Sequence, residues 1–502
     1  MSTSNMAEFA KPARDRHTAA RSWQRALALT ATIPASSHRI LPTVVDELAH
    51  TQGDAPALAS RRENFSYRAL AERAECYSRW ALRQKLPKGG VVALLMPNRP
   101  EYMAVWLGIT RVGGVVALVN TNLVGRSLAH CIDLAKPAHI IVAAEMWETF
   151  AAARQELATP ARVWSHGGQC GECPDIEDAI EALDEAPAIS HAPPVTIADC
   201  ALYIYTSGTT GLPKAARISH GRLMMWSCWF AGMMGARADD RMYNCLPMYH
   251  SVGGVVATGA MLVSGGSVMI GEKFSTRHFW DDVVDFDCTL FQYIGELCRY
   301  LVNSPPHPRE REHRLRACCG NGLRADIWET FQTRFAIPHI VEFYAATEGN
   351  VTMFNVEGKP GAIGRIPPFL AHRSPTALVR FDVSRGEPVR GPDGFCIRCG
   401  AGEAGEALGK IIDNPASLGG RFEGYTSREE SERKIIRNVF VRGDAWFRTG
   451  DLMRKDEAGY FYFVDRIGDT FRWKGENVST AEVSAAICAF SGVGEASVYG
   501  VT

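Results

Sequence analysis

The sequence predicts an α/β protein: a large domain of mixed, mostly parallel sheet flanked by helices, followed by a small β subdomain. Three observations lead there. Short β-prone apolar runs at residues 91–96, 115–119, 139–143 and 202–205 alternate with longer helical stretches, the pattern of a sheet with helices on both faces. Three strand ends, near residues 206, 320 and 346, offer glycine, hydroxyl and carboxylate groups, and ligands bind at the carboxyl edges of open α/β sheets. Past Gly361 the strands become short and broken by Gly and Pro up to about Asp465.

A chain of 502 residues exceeds one compact core, so at least two domains or subdomains are expected. An apolar share of 46% with 22% charged residues is that of a soluble globular protein. A net charge of −1 supplies no global field toward nucleic acid, so no nucleic-acid partner is expected. The 14 cysteines follow no disulfide framework. The C-x-x-C pairs Cys170/Cys173 and Cys396/Cys399 lie far apart in sequence and read as reduced thiols rather than a zinc site. Free thiols and the lack of a signal-peptide pattern point to the cytoplasm.

Residues 1–39 form a basic arm, in which Lys11, Arg14, Arg16, Arg21, Arg25 and Arg39 outnumber Glu8 and Asp15. It reads as a mobile arm, as an amphipathic helix on the inner face of an anionic membrane, or as an extension packed on the domain. The globular pattern starts at Ile40. Residues 43–50 and 67–83 read as helices, and Pro100 opens another after the strand at 91–96. The apolar stretches 103–119 and 253–270 are at or below spanning length and carry Arg111 or several Gly and Ser. Residues 166–194, rich in Gly, Pro, Cys and acid, read as a surface loop.

The strand at 202–205 then breaks into Thr206, Ser207, Gly208, Thr209, Thr210 and Gly211, with Lys214 beyond Pro213. Two glycines permit a sharp turn and close backbone approach. Hydroxyls and free N–H groups make a concavity suited to an anion, and Lys214 adds a positive point charge. A polyphosphate is the natural ligand. The spelling is not that of the P-loop, which places Lys directly after the second Gly. A bland Ser/Thr/Gly surface turn is the competing reading.

Beyond it, Ser219 starts a helix whose body, 223–234, is aromatic and Met-rich all round, so it is buried or lines an apolar pocket. Tyr249 and His250 follow a strand and precede a Gly-rich helix start, although a lone histidine is more often a satisfied core residue. Residues 289–301 read as a strand running into a helix, and the charge run 307–314 as a solvated loop. Gly459–Val464 is a further strand, 465–478 a polar hairpin, and 480–489 a helix that Thr480 can cap.

The 206–214 string resembles the AMP-binding signature of the adenylate-forming superfamily. With NTNL (120–123), FQYIGELCRYL (291–301), GNGLR (320–324), FYAATEGN (343–350) and DRIGDTFRWKGENV (465–478), the chain from about Pro42 onward resembles the fatty-acid transport protein type, also called very-long-chain acyl-CoA synthetases. The resemblance implies the adenylate-forming enzyme fold: a large AMP-binding domain over 40–465, with a β subdomain over about 361–465, then the start of a small α+β C-terminal domain over 466–502. A hinge is expected near Gly468. The membrane segment of animal members is not evident, the small domain reads as incomplete, and no residue matches its adenylating lysine, so this chain is expected to bind ATP but to form acyl-AMP poorly.

The implied reaction joins a fatty acid to CoA at the expense of ATP with Mg²⁺. The carboxylate attacks the α-phosphate to give acyl-AMP and pyrophosphate, and the thiol of CoA then displaces AMP. The implied site is Tyr203, Tyr205, Thr206, Ser207, Gly208, Thr209, Thr210, Gly211 and Lys214 for the phosphates. Glu348 would hold Mg²⁺. Thr347 would touch the α-phosphate, Tyr344 would stack on adenine, and Gly320, Asn321 and Gly322 would line the base and acyl carboxylate. Asp451 and Arg466 would hold the ribose, His250 would gate the acyl tunnel, and Lys474 and Gly475 would serve the CoA step. Peripheral membrane association and a homodimer are both compatible with the sequence. One rival is an amino-acid-adenylating branch, which places an acid near Tyr249; residues 247–254 contain none. Another is a non-catalytic lipid-binding or transport module, which should ignore ATP.

Overall fold

The structure, a computed structural model, describes residues 17–182, 192–208, 211–412, 419–467, 471–473, 476–478, 480–488, 490, 492–493 and 496–498. Its first sheet runs in the order Arg162–His166, His139–Ala143, Val91–Leu95, Val115–Leu118, Cys200–Gly208 and Gly211–Ser219. The first five strands are parallel and the last returns antiparallel. Strands 91–95, 115–118 and 139–143 are buried along their whole length, which is why they read as unbroken Val, Ala, Leu and Ile runs rather than alternating ones.

The second sheet has eight strands in the order Thr352–Asn355, Ile340–Ala345, Ala317–Asn321, Leu290–Ile294, Arg241–Asn244, Ser267–Ile270, Pro56–Ala59 and Asn64–Ser66. Its inner six strands are parallel and both edges are antiparallel. One hydrophobic core joins Val92, Leu94, Leu202 and Ile204 of the first sheet to Met242, Val268, Leu290 and Val341 of the second. The helices Leu41–Gln52, Tyr67–Arg83, Pro100–Arg111 and His220–Met234 contribute to it. Among the described residues, no helix is long and apolar enough to cross a membrane. The stretch 103–119 is a buried helix followed by a strand.

Helix His220–Met234 starts where the Ser219 hydroxyl accepts the Arg222 N–H, and it ends at Gly235 in the left-handed conformation, φ 60°. The helix His17–Ala31 of the basic arm packs on it. Ala26 lies so close that a Cβ on Gly232 would fall 2.4 Å from its Cα. Trp23 stands edge-on to Trp229 and Phe354, and Arg25 Nε donates to the Gly232 carbonyl at 3.1 Å.

The third sheet is antiparallel throughout: Gly364–Arg365, Tyr460–Arg466, Ala445–Lys455, Ala404–Lys410, Thr376–Asp382 and Glu387–Pro388, with Ile435–Arg437 also on Ala445–Lys455. Met453, Phe461, Leu378 and Ala407 pack it onto Val351 and Met353 at the edge of the second sheet.

Three sequence expectations are corrected. The 166–194 stretch is not all loop, since Ile176–Glu181 is a helix capped by Asp175, which accepts the Glu177 N–H at 2.7 Å. The 307–314 run is more than solvated charge: Arg309 pairs with Asp281 and Asp285, and Arg334 with Glu310. Thr480 does not cap the helix Thr480–Cys488 but lies within it, and its N–H donates to the Asp465 carboxylate at 2.8 Å.

Candidate active site

The Gly- and Thr-rich turn after residue 205 joins the two strands of a β-hairpin. Strand Cys200–Gly208 runs on past residue 205, and its partner returns with Thr206 opposite Lys214. Pro213 is tolerated because its strand is the edge of the sheet. Thr209 and Thr210 lie outside the described residues, as do Gly468, Lys474 and Gly475; Ser207, Gly208 and Gly211 are placed by their backbone. Lys214 is engaged rather than free: it forms an ion pair with Glu430 and stands 5.9 Å from the centre of the Tyr425 ring. Together with His130 these groups line a cleft of about 350 Å³.

Strand alternation turns Tyr203 and Tyr205 away from this turn. Tyr205 is buried, and its hydroxyl donates to the Cys131 carbonyl at 2.6 Å. Tyr203 packs in the same cluster. Both belong to the wall between the sheet and the helix Gly125–Ala135, which corrects their assignment to the phosphates.

Glu348 lies in the turn after strand Ile340–Ala345. The Tyr425 hydroxyl donates to its Oε1 at 2.9 Å, and Tyr425 also meets the Thr206 hydroxyl, so one phenol ties the metal candidate to the hairpin. Tyr425 is carried by a segment running beside strand Gly211–Ser219, where the Thr426 N–H donates to Ala215 and the Arg217 N–H to Gly424. Thr347 shares a hydrogen bond with Ser251 at 2.9 Å. Its carbonyl accepts from the buried Arg222, whose other arm donates to the Arg421 carbonyl. Arg222 therefore holds the Thr347–Glu348 turn and the Tyr425 segment together.

Ser251 opens a stretch of π-helix, Ser251–Ala257. Such wide turns recur at functional sites. Gly253 and Gly254 permit it, since a Cβ on either would fall within 2.5 Å of a backbone oxygen of Pro247 or Met248. His250 precedes it with an open face, and the protein crowding its ring lowers its pKa, so it is neutral at neutral pH. Asn122 Nδ2 donates to the Tyr249 hydroxyl at 2.9 Å.

The floor is made by strand ends of the second sheet. A Cβ on Gly320 would fall 2.3 Å from the Tyr293 carbonyl, and one on Gly295 would fall 1.7 Å from that of Gly322. Gly322 sits at φ +81°. Asn321 Oδ1 is buried without a hydrogen-bond partner. Below the turn, Glu342 accepts the Leu323 N–H at 3.1 Å and the Tyr293 hydroxyl at 2.5 Å.

The opposite wall comes from the third sheet. Arg448 makes a bidentate pair with the fully buried Glu406. Next to it the ladder slips, with Gly450 at φ +79° and the Thr449 hydroxyl donating to Ala407. This bulge presents Asp451. Its Oδ2 accepts the Tyr344 hydroxyl at 2.5 Å, and Arg466 lies 3.7 Å from Oδ1. Burial raises the pKa of Asp451, while the Tyr344 hydroxyl, Arg466 and Lys434 pull it back. Lys434, Tyr425, Arg222, Ser251 and Glu342 were not singled out from sequence as site residues.

The profile of the AMP-binding enzyme family matches residues 45–390. Long-chain fatty acid transport protein 1 of Rattus norvegicus is 39% identical over 467 residues, which cover 92% of this chain and 72% of that protein. The protein of the same name from Mus musculus is 42% identical over 417 residues, 82% of this chain and 64% of that protein. Medium/long-chain-fatty-acid–CoA ligase FadD6 of Mycobacterium tuberculosis (strain ATCC 25618 / H37Rv) is 36% identical over 469 residues, 93% of this chain and 75% of that protein. The chain thus spans 64% to 75% of the length of these relatives. Among solved structures, the anthranilate CoA ligase AuaEII in complex with anthranoyl-AMP has a TM-score of 0.78 at 19% identity, covering 93% of this chain and 85% of that one. ATP-bound MatB from Rhodopseudomonas palustris has a TM-score of 0.73 at 24% identity, covering 92% and 86%. At such identities the likeness speaks for the fold. The profile match and the identity to full-length relatives together decide the affiliation: the chain belongs to the AMP-binding enzyme family.

Proposed function

We propose that the protein is an ATP-dependent fatty acyl-CoA synthetase, an acid–thiol ligase acting on long- or very-long-chain fatty acids through an acyl-AMP intermediate. The observation that carries the proposal is the meeting of elements from three sheets in one place. The Thr206 turn, the Thr347–Glu348 turn and the Asp451 bulge are linked through Tyr425 and Tyr344. The names of the relatives favour a fatty acid, and so does the acid-free stretch 247–254 beside the apolar helix His220–Met234.

The residues present fit the substrates. Asn321 Oδ1, buried and unpartnered, is an acceptor suited to an adenine amino group. Gly320 and Gly322 leave a flat backbone platform, with Tyr344 on the facing side. Asp451 has two oxygens for two ribose hydroxyls, and Arg466 reaches the same side. Glu348 would hold Mg²⁺, a hard cation that takes one or two carboxylates and that would neutralise charge on the phosphates when bound.

In the first half-reaction the fatty-acid carboxylate attacks the α-phosphorus and pyrophosphate leaves. Such chemistry calls for positioning and charge neutralisation more than covalent help. The Thr347 hydroxyl, aligned by Ser251, donates to the α-phosphate. Neutral His250 offers a ring N–H beside it without adding charge to the mouth of the acyl path. The Thr206 hairpin and Lys214, released from Glu430, hold the departing phosphates. For the second half-reaction, Lys474 and Gly475 are assigned to the CoA step on the resemblance alone. Acid-dependent ATP–pyrophosphate exchange tests the reading, with medium-, long- and very-long-chain fatty acids set against amino acids. Exchange driven by fatty acids, even at the low rate expected of this chain, supports it, and exchange driven only by amino acids refutes it.

A further inference from the structure

Lys434 lies beside Glu348 and against the Thr449–Gly450 bulge that presents Asp451, yet it has no part in the mechanism above. It ends the short helix Arg428–Arg433 and reaches inward, with its side chain only 21% exposed. Its Nζ is 4.0 Å from Glu348 Oε1, donates to the Thr449 carbonyl at 3.3 Å, and stands 5.7 Å from the centre of the Phe447 ring. It is also one of the cations that act on Asp451. The place is built around it: a Cβ on Gly450 would come within 3.7 Å of the ammonium. A lysine this enclosed lacks full hydration, and neither neighbour satisfies it. The Glu348 contact is at the limit of an ion pair, and one carbonyl uses one of its three N–H donors.

Asp451 fits a ribose and Glu348 fits a metal on the phosphates, so whatever joins ribose to phosphate must pass the ammonium. We infer that Lys434 contacts the α-phosphate of the bound nucleotide, on the side opposite Thr347. The inference rests on the reading of the site as nucleotide-binding and names one further ligand group within it. Before the nucleotide arrives, Lys434 holds Glu348 and Asp451 apart and offsets their mutual repulsion. Afterwards two of its donors turn to the phosphate oxygens. The ammonium suits this task because its three donors are compact and rotate freely.

The test is equilibrium binding, with no turnover and no metal, of two ligands that differ only by the phosphate: AMP and adenosine. Lys434→Met keeps the length and apolar stem of the side chain and removes the charge. AMP affinity should fall about tenfold to a hundredfold, the range of a hydrogen bond to a charged group, while adenosine affinity stays within about twofold. Lys434→Arg should restore a good part of the AMP affinity. Equal loss for both ligands would make Lys434 a structural support, and no loss for either would remove it from the site; both overturn the inference. Should Lys434→Met fail to fold, Lys434→Gln, which also removes the charge, decides in its place: a loss of affinity for AMP but not for adenosine supports the contact, and an unaltered AMP-to-adenosine ratio refutes it. Wild-type protein that binds neither AMP nor ATP refutes the nucleotide reading itself, a different outcome from any of these.

Discussion

Glu342→Gln should make the protein more stable at alkaline pH and remove one component of its pH dependence. Glu342 is 2% exposed beneath the 320–323 turn. Burial pushes its carboxyl from the ordinary 4.5 up to about 8, against the opposing hydrogen bonds from Tyr293 and from the Leu323 and Gly322 backbone. The unfolded chain loses this proton near 4.5, whereas the folded protein keeps it to about 8. Between those values the unfolded state is the more readily deprotonated, so stability falls as pH rises and levels off above about 8. At about 1.4 kcal/mol for each pH unit, the full fall is roughly 5 kcal/mol, an upper bound because a charged Glu342 can draw in water. Glutamine has the same shape, accepts the same backbone N–H groups through its carbonyl and never ionises. The measurement is the urea midpoint of both proteins from about pH 5 to pH 8.5. The stability difference, variant minus wild type, should grow by several kcal/mol across that range. A difference that stays flat would mean that Glu342 is ionised in the folded protein at neutral pH, and the reasoning from burial would be wrong.

Other substitutions probe other links. Glu348→Ala should lower kcat of ATP–pyrophosphate exchange about a hundredfold or more with little change in KM for the fatty acid, since the metal proposed to bind it would act on charge developing in the transition state; an unchanged kcat at saturating Mg²⁺ would take Glu348 out of the site. Gly320→Ala must push its new methyl against the Tyr293 carbonyl and ring, which should cost on the order of 1–3 kcal/mol and weaken AMP binding; a variant with wild-type melting temperature and affinity would show that the floor yields freely. Trp23→Ala empties an aromatic contact with Trp229 and Phe354 and should destabilise by about 3–5 kcal/mol, read as a lowered melting temperature. If that temperature holds, the arm helix contributes nothing to the fold.

The sheet elements were legible because their signal is local. Strand 139–143 and helix 67–83 sit where apolar runs and periodicity put them. The site was legible where Gly, hydroxyl and acid cluster at a strand end, as at Thr206, Gly320 and Glu348. What stayed hidden depends on partners distant in sequence. Tyr205 shares the spelling of the phosphate strand, but alternation along the strand decides which face it takes, and its partner Cys131 belongs to another helix. Tyr425 and Lys434 sit in a polar stretch with no pattern of its own, and only the docking of the third sheet brings them to Glu348. Thr480 looked like a cap by residue type; instead its N–H is satisfied by the carboxylate of Asp465, on the strand Tyr460–Arg466.

That last carboxylate has a mechanical consequence. Asp465 accepts the Thr480 N–H and precedes Arg466, the residue paired across the ladder with Asp451. It therefore acts as a latch between the strand Tyr460–Arg466 and the helix Thr480–Cys488. Any swing of the segment beyond residue 467 must first undo it. A helix cap contributes about 1 kcal/mol, which at room temperature corresponds to latched and unlatched populations of roughly five to one. Were that segment to take up a second orientation, such a catch would favour the first without locking it, and a competing interaction of only a few kcal/mol would suffice to reverse the preference. Asp465→Ala would loosen this catch without touching the floor or the hairpin of the cleft, so its effect should appear in the rate of interconversion between orientations rather than in nucleotide affinity.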